Sequence, residues 1–179
     1  MTLFLIAGGP GVGKSTVGRV LESRGFTVLD ADMDQELSGY VNKKTGRRVS
    51  ELPPLPYPKK WIEEHSWEWS MERMLDLAES YRKHRAFLIG GAEGIDQFYS
   101  LFRQRFLIWV DGETTAIRLQ SREPERWRGS FELVNVLKEN EYLRRWAIKE
   151  GFTIVIGSLS PESIAEDILA YIDQADLLP

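Results

Sequence analysis

The segment Gly8-Gly9-Pro10-Gly11-Val12-Gly13-Lys14-Ser15 constrains this chain more than any other. Its pattern is G-x-x-x-x-G-K-[ST], and each part suits the binding of a polyphosphate. Glycines let the backbone curl until successive N–H groups point inward at phosphate oxygens. A helix opening near Lys14 turns the positive end of its dipole to the same anion. Lys14 is long enough to reach the β- and γ-phosphates, the Ser15 hydroxyl suits a Mg²⁺ ligand, and Thr16 is placed for the α-phosphate. The alternative is a glycine turn that contains lysine by chance. Here an apolar strand, Leu3 to Ala7, precedes the loop, and a helix from Lys14 to Arg24 with Val17, Val20 and Leu21 on one face follows it. That is the context the motif requires, so the loop points to a nucleoside triphosphate.

Four further apolar runs, Thr27–Leu29, Ala86–Ile89, Arg105–Val110 and Phe152–Ile156, have strand length and almost no polar interruption. Strands covered on both faces, as in a parallel sheet, read this way. Helical patterns separate them. Trp67, Met71, Met74, Ala78 and Tyr81 recur at three- and four-residue steps, Glu113–Arg122 opens acidic and closes basic, and a long pattern from about Ser130 ends at Gly151. The last helix opens with Ser160-Pro161-Glu162, a cap, a proline where its missing N–H costs nothing, and an acid at the positive end. Strands alternating with helices predict an α/β fold, a three-layer α/β/α sandwich on a five-stranded parallel sheet. A length of 179 residues fits a single domain, residues 1–179.

Composition removes several classes of function. There is no cysteine, which excludes a disulfide framework, a thiol nucleophile and a thiolate metal site. A formal charge of −4 argues against a polymeric nucleic acid partner. No apolar run approaches the ~20 residues a membrane span needs, so a membrane partner is not expected. The opening Leu3–Ala7 run leads straight into the glycine loop and is expected to be a buried strand rather than a signal core, which suggests a cytoplasmic protein. Oligomeric state has no signature in the sequence.

A glycine loop near residue 8, five strands and this length resemble the small P-loop kinases, the adenylate kinase and shikimate kinase group. The chain is also similar to bacterial P-loop proteins described as nucleoside or nucleotide kinase-like. The resemblance implies the strand order 2-3-1-4-5, ATP and Mg²⁺ as ligands, and roles for particular residues. Asp30 and Asp32 in Leu29-Asp30-Ala31-Asp32 resemble the shikimate kinase D-x-D, which implies that Asp30 serves Mg²⁺ and Asp32 the acceptor hydroxyl. The alternative is an acidic cap, the reading favoured for nearby Asp34. Gly90-Gly91-Ala92 departs by one residue from the shikimate kinase glycine triplet, and Glu93 stands where it serves the metal, the acceptor or nothing but solvent. Arg118 and Arg122 match the adenylate kinase R-x-x-x-R, the first implied on adenine and the second on the transferred phosphate. Arg126, with Arg128 beside it, then falls in a short lid at about 122–130. Gly157-Ser158-Leu159-Ser160 falls where these kinases wrap the ATP base.

The acceptor insert, about 36–84, matches none of the family's acceptor signatures. It holds Tyr40, Arg47-Arg48, four prolines at 53, 54, 56 and 58, Tyr57, Lys59-Lys60-Trp61 and Glu64-His65-Ser66-Trp67-Glu68-Trp69. Proline density from Asn42 to Lys60 argues against a core element there, and His65 reads as a helix-surface residue. Aromatic and basic residues interleaved in this way suit a nucleoside or nucleoside monophosphate acceptor. A shikimate-like or sugar-like metabolite, its carboxylate held by Arg47 and Arg48, is the alternative, and a nucleotide-dependent binding protein without catalysis is a third. In the kinase reading Lys14, Asp32, Arg122 and Arg126 carry the chemistry. Replacing Lys14 with alanine is expected to cost about 3–4 kcal/mol of transition-state stabilisation, read as kcat/KM for phosphoryl transfer.

Overall fold

A computed structural model describes residues 2–55, 57–120 and 133–177. In chain order its elements are β1 (Leu3–Ala7), α1 (Lys14–Ser23), β2 (Thr27–Asp30), β3 (Ser38–Asn42), α2 (Lys59–Glu64), β4 (His65–Trp69), α3 (Met71–Ser80), β5 (Ala86–Ile89), a 3₁₀ segment (Ile95–Leu101), β6 (Gln104–Trp109), α4 (Gly112–Gln120), α5 (Leu133–Lys149), β7 (Thr153–Ile156) and α6 (Pro161–Leu177).

Side-chain alternation along β1 decides the layers. Phe4 and Ile6 join Phe87, Ile89, Phe106 and Ile108 in a core closed by Val17 and Leu21 of α1 and Ile164, Ile168 and Ile172 of α6. Leu3, Leu5 and Ala7 face the other way, into a core with Met74 and Leu77 of α3, Phe98 of the 3₁₀ segment and Ala147 of α5. All five residues of β1 are buried because helices cover both faces of the sheet, which is why the strand reads as an unbroken apolar run. The sheet order is β2-β5-β1-β6-β7 with every pairing parallel. Counted over its own five strands this is 2-3-1-4-5, as the resemblance implies. The fold is α/β/α.

The insert differs from expectation. Residues 38–42 and 65–69 form an antiparallel pair, β3 and β4, with Tyr40 opposite Trp67 and Asn42 opposite His65. Trp67 and His65 are therefore strand residues, and the helix begins at Met71, capped by Ser70, whose Oγ accepts from the Arg73 N–H at 3.3 Å. The step from Trp67 to Met71 is four residues, an even number, so it satisfies a strand face and a helix face equally. The proline-rich stretch is not all solvated. Tyr57 is 7% exposed, and its ring meets Tyr40 edge-on at 5.6 Å and Trp61 at 4.8 Å. Of the other tryptophans, Trp69 is buried against Phe98 and Trp146 packs on Phe152.

Phe87 is wholly buried between Phe4, at 5.3 Å between ring centroids, and the edge of Phe26, at 5.6 Å. Phe87→Ala is expected to cost about 3–5 kcal/mol, measured as a lower urea midpoint at unchanged m.

Candidate functional site

Among the described residues, the glycine loop and Asp30 lie at the C-terminal ends of the parallel strands β1 and β2. Between β1 and α1 the chain curls through Gly11 and Gly13, whose φ angles of 84° and 104° lie in the left-handed region that favours glycine. Gly8 has a different reason to lack a side chain. A Cβ there would stand 2.7 Å from Ile108 O and from Val12 Cγ2, so the loop seats tightly against β6. Lys14 curls back over the loop, its Nζ donating to Gly8 O at 2.8 Å and Gly9 O at 3.2 Å. Its ammonium thus stands above the ring of loop amides. Ser15 is exposed and Thr16 half-buried on the first turn of α1, whose start is fixed by Thr16 N–H and Val17 N–H donating to Gly13 O.

Asp111 starts α4, its carboxylate accepting from Thr114 N–H at 2.9 Å and Thr114 Oγ1 at 2.8 Å. These bonds hold the carboxyl below the usual range. The helix carries Arg118 to the loop, where Nη1 donates to Val12 O at 3.1 Å. Arg118, Gly11, Gly13, Thr16, Gly157 and Leu159 line a pocket of about 290 Å³, so the loop, α4 and the turn after β7 meet around one space. Gly157 matters to that turn by its identity, which the sequence did not suggest. A Cβ on it would come within 2.7 Å of Ile108 Cγ2 and Val110 Cγ2.

On the other side of the loop, Asp30 ends β2 beside Ile89 of β5. Its Oδ1 accepts the Asp32 N–H at 3.0 Å, and Asp32 is exposed on the turn that follows. Gly90 touches this turn closely: an added Cβ would lie 2.8 Å from Ala31 Cβ. Asp34 is a structural cap, as its sequence context suggested. Its Oδ1 accepts from the N–H groups of Glu36 and Leu37, each at 3.0 Å, and its Oδ2 from Arg73 Nε at 3.0 Å. Burial raises its pKa, but the Leu37 N–H, the Arg73 guanidinium and the Glu36 N–H outweigh this and lower it. Glu93 pairs with Lys43 at 3.4 Å in an exposed contact. Among the described residues no three carboxylates or imidazoles converge on a cation. An ion held mainly by phosphate oxygens and water, with Ser15 and Asp30 as protein groups, asks for no such cluster.

The insert's cations and rings are more occupied than the sequence suggested. Arg48 donates to the carbonyls of Gln35 and Glu36, while Arg47 is exposed. Trp61 stacks on His65 at 4.4 Å, and His65 Nδ1 donates to Trp61 O at 2.7 Å while its Nε2 accepts from the Asn42 amide at 3.3 Å. Tyr40 lies edge-on to Trp61 and Trp67. These rings form a small core for the hairpin. Arg122, Arg126, Arg128 and Trp127, with the lid expected over 122–130, lie outside the described residues. Sequence reasoning passed over Arg73, and over Arg144, whose guanidinium lies 4.6 Å above the Trp109 ring at the same end of the sheet as the glycine loop.

No protein-family model matches the chain, and no curated protein matches it in sequence. Its structure does match solved ones. It is similar to the shikimate kinase of Acinetobacter baumannii in complex with shikimate, at 20% identity and a TM-score of 0.62 over 99% of this chain and 96% of that one. It is similar to the deoxyadenosine kinase of M. mycoides with bound dATP, at 13% identity and 0.55 over 97% of this chain and 100% of that one. A gluconokinase from Sinorhizobium meliloti 1021 matches at 13% identity and 0.52 over 96% and 91%. The chain has the small P-loop kinase fold. The names of these three kinases give chemically different acceptors on one scaffold, so the P-loop kinase fold leaves the acceptor to be argued from the site.

Asp34 ties pH to stability. Its folded pKa is lowered below the ordinary 3.8, so its contribution is present above that value and is lost as pH falls through the folded pKa. In urea titrations, Asp34→Asn is expected to be less stable than the wild type at pH 7 and to close that gap below about pH 4.

Proposed function

We propose that this chain is an ATP-dependent kinase that moves the γ-phosphoryl group to a small acceptor, most suitably a nucleoside or nucleoside monophosphate. One arrangement carries the kinase reading, on the ATP side: Lys14 over a curled glycine loop, with a pocket of about 290 Å³ beside it bounded by Arg118 and the turn at Gly157; the nucleoside acceptor rests on the aromatic and basic composition of the insert. That volume suits one flat heterocycle, and the phosphates would then run from the pocket over the loop amides toward Lys14.

Gly8, Gly9, Pro10, Gly11, Val12 and Gly13 form the phosphate cradle, Thr16 meets the α-phosphate, and Arg118 faces the base. Ser15 and Asp30 would hold Mg²⁺, which would offset charge on the phosphates. Asp32 orients the acceptor hydroxyl in line with the γ-phosphorus and takes its proton. Lys14 meets charge developing on the transferred oxygens, a role that the sequence gives also to Arg122 and Arg126, which lie outside the described residues. The chain works as one catalytic domain, with residues 36–84 as acceptor insert. Among the described residues no helix is long and apolar enough to cross a membrane, and a cytoplasmic location suits a consumer of ATP.

The metabolite alternative needed Arg47 and Arg48 for an acceptor carboxylate. The engagement of Arg48 with two backbone carbonyls weighs against any anionic acceptor held by that pair, a carboxylate or a monophosphate alike. ADP release should therefore be measured with Mg·ATP and pooled nucleosides, nucleoside monophosphates, shikimate or sugars. Stimulation by a nucleoside or nucleotide pool, lost in Asp32→Ala, is the expected result. Stimulation by shikimate or sugars alone would move the acceptor to the metabolite class, and no stimulation with ATP binding intact would favour a binding protein.

A further inference from the structure

Asp32 sits on a short stretch of chain between two anchored turns. Before it, Ala31 is wholly buried and its N–H donates to Ile89 O at 2.9 Å. After it, Asp34 caps the next turn, Ser38 N–H donates to Asp34 O at 2.8 Å, and Leu37 is wholly buried. This second turn is also held from outside. Arg48 spreads its guanidinium over it, Nη2 donating to Gln35 O at 2.9 Å and Nη1 to Glu36 O at 3.0 Å.

Arg48 reaches the turn by crossing β3. Its backbone bridges to Val41, which shares a face of β3 with Gly39. The guanidinium then lies flat on Gly39: a Cβ there would stand 2.5 Å from Arg48 Nε and 2.6 Å from Nη2. Gly39 is not among the glycines with positive φ. Its missing side chain therefore answers to the guanidinium, since the backbone there would accept alanine. A planar fork suits two consecutive carbonyls in a way an ammonium does not. The contact is exposed, so it adds little stability, and its weight falls on geometry.

We infer that Arg48, laid across Gly39, is a positioning residue: its fork fixes the 34–37 turn and through it the direction of Asp32 at the acceptor. This rests on the kinase reading and deepens it. Gly39→Ala should evict the guanidinium without removing it, and Arg48→Met removes it outright. Both variants, their double variant and Arg48→Lys would be compared for ADP release with Mg·ATP and pooled nucleosides, nucleoside monophosphates, shikimate or sugars, for KM(ATP), for urea midpoint, and for amide exchange at Glu36, Leu37 and Ser38. Each single variant is expected to lower kcat by about 2- to 5-fold, at unchanged KM(ATP) and midpoint, with faster exchange at those amides. The double variant should be no slower than Arg48→Met, because both changes break one contact, and Arg48→Lys should recover part of the rate. Wild-type kcat in Gly39→Ala, multiplying effects in the double variant, or unchanged exchange would overturn the inference while Asp32→Ala still abolishes transfer. If none of these acceptor pools stimulates wild-type ADP release, or Asp32→Ala keeps the rate, the kinase reading falls and this inference falls with it.

Discussion

The seating of the glycine loop against β6 governs how the rest of the molecule is arranged. Gly8 approaches Ile108 O so closely that no Cβ fits between them, and Gly157 approaches the same strand from the far side with the same result. The ends of β1, β6 and β7 are thus drawn together at two positions where a side chain is forbidden. Because β1 is the middle strand and is covered on both faces, the loop leaves the sheet at its centre. It opens at the C-terminal edge of the sheet, where the first turn of α1 adds its amides and dipole. Arg118, in the last turn of α4, reaches back to Val12 O, and with the turn at 157–159 it encloses the pocket beside the loop.

The other half of the crevice is built on different physics. β3, β4 and the proline-rich segment do not extend the main sheet but fold over the end of β5, where Glu93 N–H donates to Trp67 O at 2.8 Å. Their core is aromatic, with Tyr40, Tyr57, Trp61 and Trp67 in mutual edge and tilted contacts. The insert's cations are largely engaged inside the protein: Arg73 with Asp34 and Glu36, Lys43 with Glu93, Arg48 with two carbonyls. The insert thus holds the aspartate turn in place.

The legible parts of this protein share a cause. The five sheet strands were readable because burial on both faces leaves no polar position, and the glycine loop because its chemistry needs particular residues in consecutive order. Asp34 was readable as a cap because a cap is a local arrangement. Strand β3, Ser38-Gly39-Tyr40-Val41-Asn42, has no such mark: its partner lies some 25 residues away and its aromatic face exists only once the two are paired. Trp67 was assigned to a helix because strand and helix periods coincide at four residues. Arg48 and Gly39 carried no signal because what links them is a guanidinium lying across a strand.

The sequence by itself determined the α/β/α class, the strand boundaries to within a residue or so, and the phosphate loop with its lysine, since each depends on neighbours along the chain. Tertiary structure alone decided where Arg118 and Gly157 meet the loop, that the tryptophan-rich insert is a hairpin with its own core, and that Arg48 is held by the turn after Asp32. Those contacts join residues distant in the chain, and their geometry exists only when packing has brought the backbones together.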